Sequence, residues 1–149
     1  MSCQTLLQQA RHFREVFQQE SLDNISRYGF IKQRLWDMQL GLIKEEVDEL
    51  MQAAGECFFD PENEQLRLDL VKELSDVVFV CYQFAAAFNI DLDRAMALVY
   101  ESNLSKLDEQ GKPIFREDGK VLKGPNYIQP NLDECIPEVQ LNYYDTNGK

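Results

Sequence analysis

Apolar residues recur at three- and four-residue intervals through most of the chain, and that period predicts helices. Leu6, Leu7, Ala10, Phe13, Val16 and Phe17 line one face of a helix over residues 4–20. The turn formers of "SLDNISRYG" then break the pattern. A second stripe, Ile31, Leu35, Met38, Leu42, Val47, Leu50 and Met51, predicts a helix from about 30 to 54 that ends near Gly55. "GECFFDPENE" (55–64) reads as a loop by its glycine, Asp-Pro step and asparagine. A third helix is expected over 63–88, amphipathic at first but apolar at nearly every position from Leu74 onward. A helix apolar all round must be covered on every side. Either the bundle's own helices or a partner subunit would do so, and the pattern leaves both open. "NIDLDRAMALVYESNLSKLDE" (89–109) restarts a helix behind Asp91, a good N-cap, with Ala95, Met96, Leu98, Val99 and Leu104 on its apolar face.

Beyond Gly111 the period changes. Two short strand-like runs, Ile114–Phe115 and Val121–Leu122, flank Asp118-Gly119, a favoured hairpin turn, so a small β-hairpin is expected over 112–124. The Pro/Asn-rich remainder ends in an acidic "NYYDTNGK". The expected architecture is all-α: a bundle of four to five helices with a C-terminal hairpin. It forms one domain over 1–130, followed by an extended tail over 131–149.

Composition narrows the function classes. A chain of 149 residues has room for one core, and its net charge of −11 repels nucleic acid polymers. A small anionic substrate stays admissible, because a bound divalent cation inverts the local field. No stretch is long and apolar enough for a bilayer, and the N-terminal residues resemble neither a signal nor a transit peptide, so a cytoplasmic location with no membrane attachment is the expectation. Cys3, Cys57, Cys81 and Cys135 are widely spaced and read as reduced thiols. His12 is the only histidine and reads as a surface side chain.

The unusual feature is "GLIKEEVDELMQ" (41–52), where acidic side chains crowd one helix. Like charges one turn apart weaken a helix by a few tenths of a kcal/mol per pair, roughly. At about 100° per residue, Glu45, Glu46 and Glu49 share a groove edge. Val47 and Leu50 are expected to anchor that helix in the core, and Asp48 to point into solvent. The third helix answers with "KELSDVV", whose Glu73 and Asp76 are again one turn apart. Helices joined by a short loop pack antiparallel, which would set the two acidic pairs face to face. Mutual repulsion would raise some of these pKa values unless a cation neutralises them. An all-oxygen ligand set suits Mg²⁺ or Mn²⁺. Iron is disfavoured, because Glu73-x-x-Asp76 has aspartate where di-iron bundles carry histidine.

Glu45-Glu46-x-x-Glu49 followed by Glu73-x-x-Asp76 resembles the EExxE…ExxD signature of the all-α nucleoside triphosphate pyrophosphohydrolases. That superfamily includes MazG-like enzymes, dimeric dUTPases and phosphoribosyl-ATP pyrophosphohydrolases. The later "ESNLSKLDEQGKPIFREDGKVLKGPNY" is similar to the Asn-x-x-Lys helix end and Lys-rich tail of the MazG-like members. The resemblance spans roughly residues 30–130. It implies Mg²⁺-dependent cleavage between the α and β phosphates of a nucleoside triphosphate, giving a monophosphate and pyrophosphate, with a helical fold that forms a homodimer or homotetramer. Glu46, Glu49, Glu73 and Asp76 would ligate the metal, and Glu45 would hold a further ion or orient the attacking water. Asn103 and Lys106 would touch substrate, and Lys120, Lys123 and Tyr127 would close over phosphates or base.

Phosphoryl transfer needs a metal, a positioned water and cations against developing charge, and these residue types supply them. Trp36 and Tyr28 are candidates to stack on a base, although Trp36 equally suits a core border; Tyr82 and Phe84 read as packing residues. Two rivals remain: phosphoribosyl-ATP as the substrate of the same chemistry, and a non-catalytic helical dimer whose acidic groove merely binds a cation or docks a basic partner.

Overall fold

The computed structural model describes residues 4–21 and 29–136. Cys3, Tyr28, the side chain of Ile31 and the tail beyond residue 136 lie outside the described residues. Among the described residues four α-helices follow in order: α1 (Leu6–Val16), α2 (Gly29–Phe59), α3 (Glu64–Ala87) and α4 (Leu92–Leu104). A one-turn 3-10 helix follows at Asp133–Cys135.

Local chemistry sets each boundary. Thr5 and Gln8 close a capping box at the start of α1, Gln8 N–H donating to Thr5 Oγ1 and Thr5 N–H to Gln8 Oε1. The helix stops at Val16, short of the expected residue 20, because Gln18 turns into the left-handed region (φ 51°). Gln19 N–H then reaches back to the Arg14 carbonyl at 2.8 Å. Buried Arg14 locks this turn, its guanidinium donating to Gln19 Oε1 and to the Glu20 carbonyl. Burial pushes the Arg14 pKa down.

α2 runs through Gly55 to Phe59, overturning the expected loop from 55. A glycine in a helix costs about 1 kcal/mol against alanine but does not end it; the Asp60-Pro61 step does. Asn63 caps α3 through its side chain, and Asp91 caps α4 as expected. Asn89 (φ 54°) ends α3 as Gln18 ends α1, with Ile90 N–H bonded to the Ala85 carbonyl.

α3 packs between α1 and α2. Leu7 and Ala10 meet Tyr82, Ala85 and Ala86 on one side. Leu35 meets Ala87 and Phe88 on the other. Gln83, buried within the apolar run, donates from Nε2 to the Ala10 carbonyl at 3.4 Å. The end of α3 from Val80 to Ala87, with its cap Phe88, is thus the centre of the bundle, whereas Leu74, Val78 and Phe79 on the turns before it remain exposed. Val47 is exposed too, so of the two expected core anchors on α2 only Leu50 is even half-buried.

The expected hairpin over 112–124 does not form. Among the described residues there is no strand, only an isolated bridge between Phe115 and Val121 around the Asp118-Gly119 turn. Phe115, Val121 and Leu122 are exposed, and two strands with no packed face are not stable. No helix among the described residues is long and apolar enough to cross a membrane.

Candidate active site

The short α2–α3 connection sets the two acidic helices side by side. Carboxylate oxygens of Glu46, Glu49 and Glu73 all lie within 4.8 Å of one another. Glu46 and Glu73 are half-buried and Glu49 is exposed. Burial pushes the Glu46 pKa up, and repulsion from Glu49, Asp76 and Glu73 adds to it, with Lys72 opposing. Desolvation therefore leads and repulsion follows.

Asp76 adjoins the trio without being one of it. Its Oδ2 lies 2.9 Å from Lys72 Nζ, which also reaches Glu73 Oε1 at 3.0 Å. These acids hold the lysine's pKa well above its ordinary value. Lys72 escaped the sequence reading, although Lys-x-x-x-Asp in "KELSD" is an i, i+4 pair that points to it. Glu45 stands exposed and outside the trio. Asp48 turns to solvent, as expected, and there pairs with Lys44 at 2.6 Å.

The trio fits a hard divalent cation. Mg–O bonds of about 2.0–2.1 Å put neighbouring ligand oxygens about 3 Å apart and opposite ones about 4.2 Å apart. Carboxylates already within 4.8 Å of one another need only small side-chain rotations to meet that spacing.

The other candidates lie on α4 and on the chain that follows it. α4 ends at Leu104, capped by Ser105, rather than at 109, because the following chain folds back on it. Ser102 Oγ donates to the Ile128 carbonyl at 2.7 Å, and Ile128 N–H donates to Ser105 Oγ at 2.8 Å. Gly124 N–H donates to the Lys106 carbonyl at 2.9 Å. Lys123 Nζ sits 4.2 Å from the centre of the Tyr127 ring, a cation–π contact. Lys106 and Tyr127 are half-buried; Asn103, Lys120 and Lys123 are exposed. Among the described residues, no hydrogen bond or ion pair links this group to the acidic trio.

Trp36 is 44% exposed and meets Phe84 and Phe88 edge-on, each at 5.1 Å between ring centres. It borders the core and still shows part of its ring to solvent. Tyr82 is buried, Phe84 is half-buried and His12 is exposed; all three match the sequence reading. Cys57, Cys81 and Cys135 are free thiols.

The family model for phosphoribosyl-ATP pyrophosphohydrolase matches residues 10–103. The chain belongs to that family. Membership supports a nucleotide pyrophosphohydrolase activity and lies within the superfamily that the carboxylate motif resembles. The match spans α2 and α3 with every candidate acid, and Asn103 is its last residue; Lys106, Lys120, Lys123 and Tyr127 lie past it. No curated protein matches the chain.

Proposed function

We propose that the protein is a cytoplasmic, Mg²⁺-dependent hydrolase that cleaves a nucleoside triphosphate between its α and β phosphates, releasing monophosphate and pyrophosphate, with Mn²⁺ able to replace Mg²⁺. The observation that carries this reading is the convergence of Glu46, Glu49 and Glu73 from two helices. With Asp76 beside them, these residues would hold the ion. Once bound, the ion would neutralise phosphate charge and ease deprotonation of the attacking water. Glu45 would orient that water or hold a further ion. The raised pKa of Glu46 supports the assignment, because a cation relieves both of its causes.

In a chain of net charge −11, the substrate's phosphates need cationic partners. Lys106, Lys120 and Lys123 would supply them, with Asn103, Tyr127 and Trp36 contacting the rest of the nucleotide. Among the described residues no hydrogen bond or ion pair ties these lysines to the acids, and apolar side chains of α2 and α3 (Met38, Val47, Met51, Val71, Leu74 and Val78) remain exposed. Both observations favour a homodimer or homotetramer, in which burying that face stabilises the assembly by about 25 cal/mol per Å² covered.

A second reading keeps the chemistry and changes the substrate to phosphoribosyl-ATP, and the description of the matching family favours it. The MazG-like tail, outside the matched residues, favours a free nucleotide. One experiment separates them. The purified protein is incubated with Mg²⁺ and a panel of canonical and modified (d)NTPs plus phosphoribosyl-ATP, and the products are resolved. Monophosphate and pyrophosphate are expected. Diphosphate and phosphate would refute the bond assignment, and no turnover of any member would favour a non-catalytic cation binder.

A further inference from the structure

The acidic site carries a cation of its own. Lys72 Nζ lies 3.0 and 3.2 Å from the two oxygens of Glu73 and 2.9 Å from Asp76 Oδ2. An ordinary i, i+4 pair joins one lysine to one carboxylate. Lys72 is instead shared between two acids, both in the ligand set proposed above. The other described ion pairs, Lys44–Asp48, Arg94–Glu134 and Arg116–Asp118, involve none of the trio and not Asp76.

Two consequences follow for a divalent ion at Glu46, Glu49 and Glu73. The ammonium and the ion draw on the same Glu73 oxygens, and they repel each other. Asp76, paired with the ammonium, stands aside from the trio. Lysine keeps its charge throughout the neutral range, so the competition is permanent.

We propose that Lys72 is a positioning residue that competes with the divalent cation for Glu73 and Asp76 and so sets a ceiling on the site's metal affinity. Metal loading then requires Asp76 to leave the ammonium, and a chain without that charge binds the ion more tightly. This rests on the metal-site reading and deepens it.

The test measures Mn²⁺ binding directly, by electron paramagnetic resonance of free Mn²⁺ in titrations without nucleotide. The full-length wild type is compared with Lys72→Met, Lys72→Arg, Lys44→Met and Glu46→Gln. Lys72→Met should tighten Mn²⁺ binding about three- to tenfold, the range expected when one charge a few ångströms away is removed near solvent. Lys72→Arg should stay near wild type because it restores the charge. Lys44→Met makes the same change in net charge on α2, at the Asp48 pair, and should leave the affinity unchanged. Equal affinities for Lys72→Met and wild type, or equal tightening by Lys44→Met, would overturn the proposal while leaving the metal site intact. Wild type that fails to bind Mn²⁺, or binds it no better than Glu46→Gln, would overturn the metal-site reading and this inference together. Lys72 is exposed, and a circular dichroism spectrum confirms that each variant folds.

Discussion

Glu46 on α2 and Glu73 on α3 bring carboxylate oxygens within 4.8 Å of each other across the interhelical groove. Both are half-buried, so each loses hydration that a carboxylate keeps at the surface. An arrangement that costs stability in this way is what the proposed metal site requires. Glu46→Gln and Glu73→Gln keep side-chain volume and remove the charge. Each is expected to lower kcat/KM by at least about 10²-fold, some 2.7 kcal/mol of transition-state stabilisation. Steady-state kinetics at saturating Mg²⁺, beside an unchanged circular dichroism spectrum, check this. Near-wild-type activity in both variants would remove these residues from the site.

The same crowding gives stability a pH dependence of known sign. The Glu46 pKa is raised above its ordinary 4.5, first by burial and then by Glu49, Asp76 and Glu73, with Lys72 opposing. A carboxyl whose folded pKa is raised contributes stability below its unfolded pKa, and that contribution is lost as pH rises through the folded value. In chelator, Glu46→Gln should therefore raise Tm at pH 7 by about 1–3 °C. The gain should fade as pH falls toward 4.5, where wild-type Glu46 is protonated as well. Thermal melts of both proteins across pH 4–8 measure it, and a gain that persists unchanged at acid pH would refute the cause.

Helix identity and the pairing of acids were legible because both follow from periodicity. Apolar spacing marked α1 to α4, and Glu73 and Asp76 at i, i+3 announced a face before any packing was known. The misjudged features depend on contacts between distant residues. Gly55 signals a helix end locally, yet α2 continues until Asp60-Pro61 stops it. Asp118-Gly119 makes the turn it promises, but no packed face converts the flanking residues into strands. Ser105 ends α4 through hydrogen bonds to Ile128, a partner that no local window contains. Lys72 is hard to single out for a different reason: a lysine next to acids on a helix is ordinarily a solvated surface pair, and only the geometry shows it shared between Glu73 and Asp76.

Trp36 holds a joint between helices. Its ring meets Phe84 and Phe88 edge-on at 5.1 Å, and those two meet each other at 4.8 Å. Because nearly half of Trp36 remains exposed, its removal should cost less than a fully buried tryptophan would. Trp36→Ala is expected to destabilise by about 1–3 kcal/mol, while Trp36→Phe should retain most of the packing. Urea denaturation gives both values. A Trp36→Ala protein as stable as wild type would mean that the aromatic trio does not hold α2 to α3.

Gly124 fixes the Lys-rich tail to the end of α4, and its lack of a side chain is what permits the contact. A Cβ there would lie 2.4 Å from the Leu107 carbonyl oxygen and 2.7 Å from that of Lys106, both backbone atoms that cannot swing aside. Gly124→Ala must therefore push the tail off α4 and weaken the bond from Gly124 N–H to the Lys106 carbonyl. Lys123 and Tyr127, tied to each other through the cation–π contact, would move with it. The core that joins α1, α2 and α3 is made without this segment, so Tm should fall by only about 2–4 °C, the effect of roughly 1 kcal/mol in a chain of this size. If the tail closes over substrate phosphates, KM should rise about three- to tenfold, the loss of one or two charge-assisted contacts, with kcat less affected. Unchanged KM in a variant whose backbone amide exchange around residues 120–128 has clearly accelerated would separate the tail from substrate binding.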